Sequence, residues 1–436
     1  MSQQERSTTS TIVTMVLVLV GLLALVALFA VLRDKVTDAF NVKPPPPPVV
    51  PQLKPVELKK PEPVVMNVPT PVVDEDLVAL IELLDEPTAV PNEAVLTFDT
   101  AEALRKFLAS AASLGLRVIS SLDAIHGVRV GFGDAETLNR YLKSQKGRPD
   151  SPNVEPHFWL TTPQLPKPAK DNQGGSAAVG SEFLTAINAV GDRSAWGKGV
   201  TVAVLDTGVA QHPTFGEGRL THIDLVQDGK TPHSHGTSVA SLIAGEDDQV
   251  PGVSPAADIL DIRVANDQGL SVNMVLAQGI VEAVDRGADV INISLGGYDD
   301  SVLLRRAIEY AAKKQVIVVA AAGNDSYDRL AFPAAIERVI SVGSVDRNSK
   351  QAYFSNSGAG LDISAPGVGL PVAWETQMKA ITSGTSGSAG VVTGAVAALL
   401  SRGVSPADIV RVLSNSARAT GAPRNQVGAG VLWIRN

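Results

Sequence analysis

The sequence predicts an α/β fold, preceded by a small α+β unit and by one apolar helix near the N-terminus. Three observations carry the prediction. Between residues 183 and 436, strand-length apolar runs alternate with helix-length runs of small and apolar residues. Val202-Ala203-Val204-Leu205 runs into Asp206 as a buried strand would, HGTSVASLIAG from His235 starts a helix, DILDIRV from Asp258 is a second strand, and Ala389 to Leu400 has helix length. Residues 93–158 give the order βαββαβ, the split-βαβ pattern. Thr11 to Leu32 carries no charge and is dominated by Val, Leu and Ala.

As a helix, the 11–32 run would be roughly 33 Å long, about one hydrocarbon core. A secretory signal would have a shorter apolar region, several preceding positive charges and a small-x-small cleavage site. Here only Arg6 precedes the run, beside Glu5, and Ala27-Leu28-Phe29-Ala30 is a poor cleavage site. A retained anchor in the lipid bilayer is expected. Arg33 and Lys35 follow it, which by the positive-inside rule disfavours an outside C-terminal part. The next segment argues the other way. Pro44 to Pro48 are consecutive, and Pro51, Pro55, Pro61, Pro63, Pro69 and Pro71 follow. An extended polyproline spacer of this length spans roughly 90 Å and suits a periplasm. The expected location is therefore a bacterial inner membrane, single-pass, with the C-terminal part in the periplasm or outside the cell. Asp74 to Glu86 gives a short helix with Leu77, Leu80, Ile81 and Leu84 on one face, ended by Pro87 and docking on a neighbouring domain.

Within the βαββαβ unit, Ala94 to Phe98, Leu116 to Ser120, Gly127 to Phe132 and Val154 to Phe158 are strands. Thr100 to Leu114 is a helix with Ala103, Leu104, Phe107, Leu108 and Ala111 apolar, stopped by Gly115; Asp134 caps a second helix to Lys143. Leu160 to Gly180, with Pro163, Pro166, Pro168 and Gly174-Gly175, is a loop by composition. The chain divides into a tail (1–10), the apolar span (11–32), a Pro-rich linker with a short acidic helix (33–91), the βαββαβ unit (92–160), a linker (161–182) and the α/β unit (183–436).

The 436 residues suffice for two or three domains, and 44% hydrophobic content supports a sizeable core. Net charge is −8, with 45 acidic against 37 basic residues and no basic block, which argues against a nucleic-acid partner. There is no cysteine, so neither a disulfide nor a thiolate metal site can exist.

Three short strings carry the chemistry: Asp206-Thr207-Gly208, His235-Gly236-Thr237 and Gly384-Thr385-Ser386. A serine hydroxyl is a poor nucleophile until an imidazole takes its proton, and the imidazole needs a carboxylate on its other nitrogen. The order Asp, His, Ser is one of three unrelated orders in which this triad recurs. At these residues the chain resembles the subtilisin-like serine proteases. The resemblance covers residues 183–436 and extends to Gly252-Val253-Ser254-Pro255, Ile293 to Gly297, Ala321 to Asn324, Phe332-Pro333-Ala334 and Ser364 to Gly367.

The resemblance implies a mostly parallel sheet flanked by helices and an endopeptidase acting on protein or peptide substrates through an acyl-enzyme. It makes Ser386 the nucleophile, His235 the general base and Asp206 its orienting carboxylate, with the Asn324 amide and the Ser386 N–H as oxyanion donors. Ser294, Leu295, Gly296 and Gly297 would be the substrate-binding strand, Ala321, Ala322 and Gly323 the opposite pocket wall, and Ala331 a lining residue that leaves the pocket roomy. Asp325 at the rim would favour a basic substrate residue. The βαββαβ unit resembles, by position and pattern, the family's propeptide, a ferredoxin-like folding assistant that inhibits the active site with its own tail. Gly387 stands where the family usually carries methionine and loosens the first helical turn; Gly390 and Val391 replace a Pro-His pair. No cofactor is expected. Calcium alone stays open, because the family's calcium-binding insertion is cut here to EDDQVP, and Glu246, Asp247 and Asp248 read equally as a solvated turn. Two rival readings remain: zinc on His233 and His235 with His212 or His222, and an inactive domain of the same fold that serves as a tethered peptide-binding scaffold.

Overall fold

A computed structural model describes residues 74–164, 176–230 and 234–435. The apolar run 11–32, the Pro-rich spacer, residues 165–175 of the 161–182 linker and His233 lie outside the described residues. Among the described residues no helix is long and apolar enough to cross a membrane.

The first elements are α1 (Glu75–Leu84), β1 (Ala89–Thr97), α2 (Ala101–Ser110), β2 (Arg117–Leu122), β3 (Gly127–Gly131), α3 (Ala135–Gln145) and β4 (Asn153–Thr161). Their antiparallel sheet runs β2-β3-β1-β4. Local signals set the helix ends. Asp74, Thr100 and Asp134 each accept a first-turn N–H, and Gly115 closes the turn after α2 at φ 76°. α1 docks on α3 through Leu80 and through Lys143 to Asp74 at 2.5 Å. Ile81, expected on its buried face, is 45% exposed, because the helix meets its neighbour along a narrower stripe than the sequence suggests.

The second group is β5 (Thr201–Asp206), β6 (Leu220–Asp224), α4 (Ser234–Ala244), β7 (Asp258–Arg263), β8 (Leu270–Val272), α5 (Asn273–Asp285), β9 (Val290–Ile293), α6 (Val302–Lys313), β10 (Ile317–Ala321), β11 (Val339–Val345), β12 (Ile363–Pro366), β13 (Leu370–Trp374), β14 (Met378–Thr382), α7 (Thr385–Ser401) and α8 (Ile409–Ser416). Seven parallel strands run β12-β11-β10-β9-β5-β7-β6. Alternation along β5 sends Val202 and Val204 into the layer with α4 and α7, and Ala203 and Leu205 into the layer with α5 and α6. After β5 the chain builds outward through β6 and β7, then returns across it to β9. β5 is thus where strand order reverses, and the crevice beyond the carboxyl ends of such strands is where ligands bind in open α/β sheets.

The two groups share one body. β4 continues past Phe158, where the sequence pattern ends, because Trp159 to Thr161 pair antiparallel with Leu270 to Val272 of β8. Val95, Ile125, Phe158 and Leu160 join the same apolar cluster as α5 and α6. Glu155 is buried at this seam: its carboxylate accepts from the Ser301 hydroxyl (2.6 Å) and the Val302 N–H (2.7 Å) at the start of α6. Burial pushes that carboxyl up to about 7 despite these donors.

Candidate active site

Asp206 ends β5, fully buried, and its carboxylate accepts the Thr207 N–H at 2.7 Å. His235, at the second position of α4, points Nδ1 at both Asp206 oxygens, 2.8 and 3.0 Å away. A carboxylate only accepts, so the proton between them sits on Nδ1 and leaves Nε2 as the free lone pair. Burial pulls the imidazole pKa down, but the Asp206 charge and hydrogen bond together outweigh it, and the net direction is up. Gly236 makes this approach possible. A Cβ there would lie 2.4 Å from the Gly208 carbonyl oxygen and 3.2 Å from the Asp206 Cβ.

Ser386 lies in the first turn of α7, which is buried on every side. Its N–H is one of the first-turn donors that have no intrahelical acceptor. Its hydroxyl donates to the Ser294 carbonyl at 3.4 Å, and among the described residues no hydrogen bond joins it to His235. Asn324 follows β10 and is fixed through its oxygen: Oδ1 accepts the Thr385 N–H and hydroxyl, both at 2.9 Å. That leaves the amide nitrogen as the outward donor. Gly384 lets the amide in, since a Cβ there would lie 3.1 Å from Nδ2. Gly387, expected to loosen the first turn, is instead closely packed: a Cβ would meet Leu370 at 3.3 Å and Leu242 at 3.4 Å.

β9 and β10 are paired in register, so Ser294-Leu295-Gly296 and Ala321-Ala322-Gly323 emerge side by side. Ala331 donates its N–H to Ala322 at 2.9 Å, and Phe332 exchanges backbone bonds with Gly297, so these residues close the far end between the two segments. The structure brings together these residues and Asp206 with His235. The tail after β4 enters the same cleft. Thr161 exchanges two backbone bonds of 2.9 Å with Gly296, and the Thr162 N–H reaches the Gly269 carbonyl at 2.8 Å.

Several side chains in these contacts were not foreseen. A threonine in each motif clamps backbone: Thr207 holds the Gly236 N–H (3.1 Å), Thr237 the Ala210 N–H (2.9 Å) and Thr385 the Gly323 N–H (3.2 Å). The signal was present, because each string carries its threonine beside the reactive residue. Tyr298 and Asn356 had no such signal. Asp325, expected at the rim as a selector of basic residues, has its carboxylate engaged by the Tyr298 hydroxyl.

The acidic turn does not fit calcium. Glu246 pairs with Arg219 (3.2 Å) and Asp247 with Lys379 (2.7 Å), and among the described residues no three His, Asp or Glu side chains gather to hold a metal. His212 donates from Nε2 to the Met378 carbonyl and accepts the Thr214 N–H at Nδ1, both at 3.1 Å, and His222 sits on Asp261 at 2.5 Å, each in its own place.

A parallel α/β sheet with an Asp–His pair at its switch point, together with a helix that carries a serine in its first turn, defines a serine hydrolase of the subtilisin kind. The Subtilase family model matches residues 197–430, and the chain belongs to that family. It is 34% identical over 249 residues to Subtilisin BL of Lederbergia lenta, covering 55% of this chain and 91% of that one. It is likewise 34% identical over 246 residues to Thermitase of Thermoactinomyces vulgaris, covering 55% and 86%. Among solved structures it is similar to fervidolysin from Fervidobacterium pennivorans, a keratinolytic enzyme related to subtilisin, with TM-score 0.66 and 25% identity over 80% of this chain; it spans 61% of the fervidolysin chain. The protein is a subtilisin-like serine protease.

Proposed function

We propose that the chain is a membrane-anchored endopeptidase that uses Asp206, His235 and Ser386 as its catalytic triad and holds itself in check with its own tail. The observation that carries the reading is the His235 imidazole fixed on Asp206 at 2.8 Å with Nε2 left free. In the first step the Ser386 hydroxyl leaves Ser294, gives its proton to Nε2, and its oxygen attacks the scissile carbonyl carbon. The oxyanion is taken by the Asn324 amide and the Ser386 N–H. His235 then protonates the leaving amine, and water hydrolyses the acyl-enzyme by the reverse transfers. Substrate would bind as an added strand on Ser294 to Gly297, as the tail after β4 does, so affinity comes from main chain and choice from the pocket. The βαββαβ unit (92–160) is read as a ferredoxin-like propeptide. The 11–32 anchor and the Pro-rich spacer, read from sequence, would hold the protease at the outer face of a bacterial inner membrane.

The test is labelling with a fluorophosphonate probe, with Ser386→Ala as control. Wild type should label and hydrolyse casein, and Ser386→Ala should do neither while keeping its unfolding temperature. Hydrolysis retained by Ser386→Ala would refute the mechanism.

A further inference from the structure

Tyr298 follows the Ser294–Gly297 wall directly, yet its hydroxyl ends on the opposite wall. It donates to the Asp325 carboxylate and accepts from the Asn356 amide at 2.8 Å, and the same amide nitrogen donates to the Ala322 carbonyl at 3.1 Å. A Cβ on Gly323 would lie 3.3 Å from that hydroxyl. Asn356 cannot yield, because its oxygen accepts the N–H groups of Asp325 and Tyr327, both at 3.0 Å. The ring is held from its faces as well, with the Arg329 guanidinium 4.6 Å from its centroid and the Tyr327 ring at 5.0 Å. The phenol therefore spans the space between the two walls, and every polar group in the span has a partner, which makes the arrangement costly to open. Ala331 is tied to the same wall, since its N–H donates to the Ala322 carbonyl that also accepts from Asn356.

We propose that Tyr298 is the specificity-determining residue of this protease and that it limits the residue before the scissile bond to small side chains, alanine or smaller. The proposal rests on the protease reading above, and the experiment separates the two. The full chain, wild type and Tyr298→Ala, would be assayed on two tetrapeptide p-nitroanilides that differ only in the last residue, alanine or phenylalanine, with fluorophosphonate labelling in parallel. Pocket shape is worth one to two orders of magnitude in kcat/KM. Wild type should prefer alanine by about tenfold or more, and Tyr298→Ala should raise the phenylalanine-to-alanine ratio by about tenfold or more, with labelling kept. Tyr298→Phe, which keeps the ring and loses its anchor, should fall between and guards against a misfolded alanine variant. A wild type that labels but takes phenylalanine as well as alanine, or cleaves neither, overturns the proposal, as does an unchanged ratio in both variants. A wild type that neither labels nor cleaves overturns the protease reading and the proposal with it.

Discussion

Thr161 and Gly296 exchange both of their backbone hydrogen bonds, each at 2.9 Å. This fixes the register of the tail in the cleft. The bridge is isolated, but carried two residues further along each strand the same antiparallel register would set Pro163 against Ser294. Proline has no N–H, so a tail in that register offers the Ser294 carbonyl no donor; that carbonyl accepts the Ser386 hydroxyl at 3.4 Å.

Pro163→Ala should restore that donor, free the serine hydroxyl and speed self-cleavage in the tail. One net hydrogen bond of ~1 kcal/mol corresponds to about fivefold. The appearance of the shorter form, followed by gel and by mass spectrometry of the new N-terminus, measures it. An unchanged rate would mean that the ladder stops at Thr161.

Activity should fall on acidification. The base works only as neutral imidazole, and the net pull of Asp206 holds its pKa above the ordinary 6.5. The acid limb of kcat/KM should therefore have its midpoint above pH ~6.5, with loss as pH falls through it. Asp206→Asn should remove that pull and lower turnover by about 10⁴, the scale known for this carboxylate in other triads. A midpoint well below pH 6 would show that the charge of Asp206 does not reach the ring.

Glu155 should make the seam between the two groups weaker at higher pH. Its carboxyl titrates near 7 when buried, against an ordinary 4.5. Between these values the docked state holds a proton that the undocked state lacks, so docking weakens as pH rises from 4.5 to 7, by up to about tenfold per pH unit, and is flat outside that window. The opposing titration of His157, whose burial lowers it to about 4, cancels when Glu155→Gln is the reference. The unfolding temperature of wild type minus that of Glu155→Gln, plotted against pH, should decline across this window. A level difference would exclude Glu155 as the group responsible.

Gly236→Ala should damage stability and turnover together. The added methyl meets the Gly208 carbonyl, which is backbone and cannot swing away. Overpacking of this kind costs about 1–3 kcal/mol, and here it also pushes His235 from Asp206. Calorimetry and kcat should both drop. Loss of neither would mean that the Asp206-Thr207-Gly208 turn can retreat freely.

Local signals were legible where a residue type does one thing. Asp74, Thr100 and Asp134 were caps by type and spacing, and Gly115 was a stop. Asp206 was placed at a strand end because four apolar residues lead into it. The start of β1 was not legible. Residues 89–93 include Pro91 and Asn92 at φ 59°, and the register shifts between Ala89 and Ala94, so no alternation marks them as strand.

The reacting residue types, their order, the glycines that admit them and the alternation of strands and helices are all written in the order of the amino acids. These follow from covalent preference and from the period of apolar residues, which act within a few positions of the chain. The run of β4 on to Thr161, the burial of Glu155 against Ser301 and Val302 and the crossing of Tyr298 to Asp325 and Asn356 arise from long-range packing. Each of these joins segments from about thirty to well over a hundred residues apart. A strand edge, a helix start or a phenol has no preferred partner until packing brings one within hydrogen-bond reach, and that choice is made by the fold as a whole.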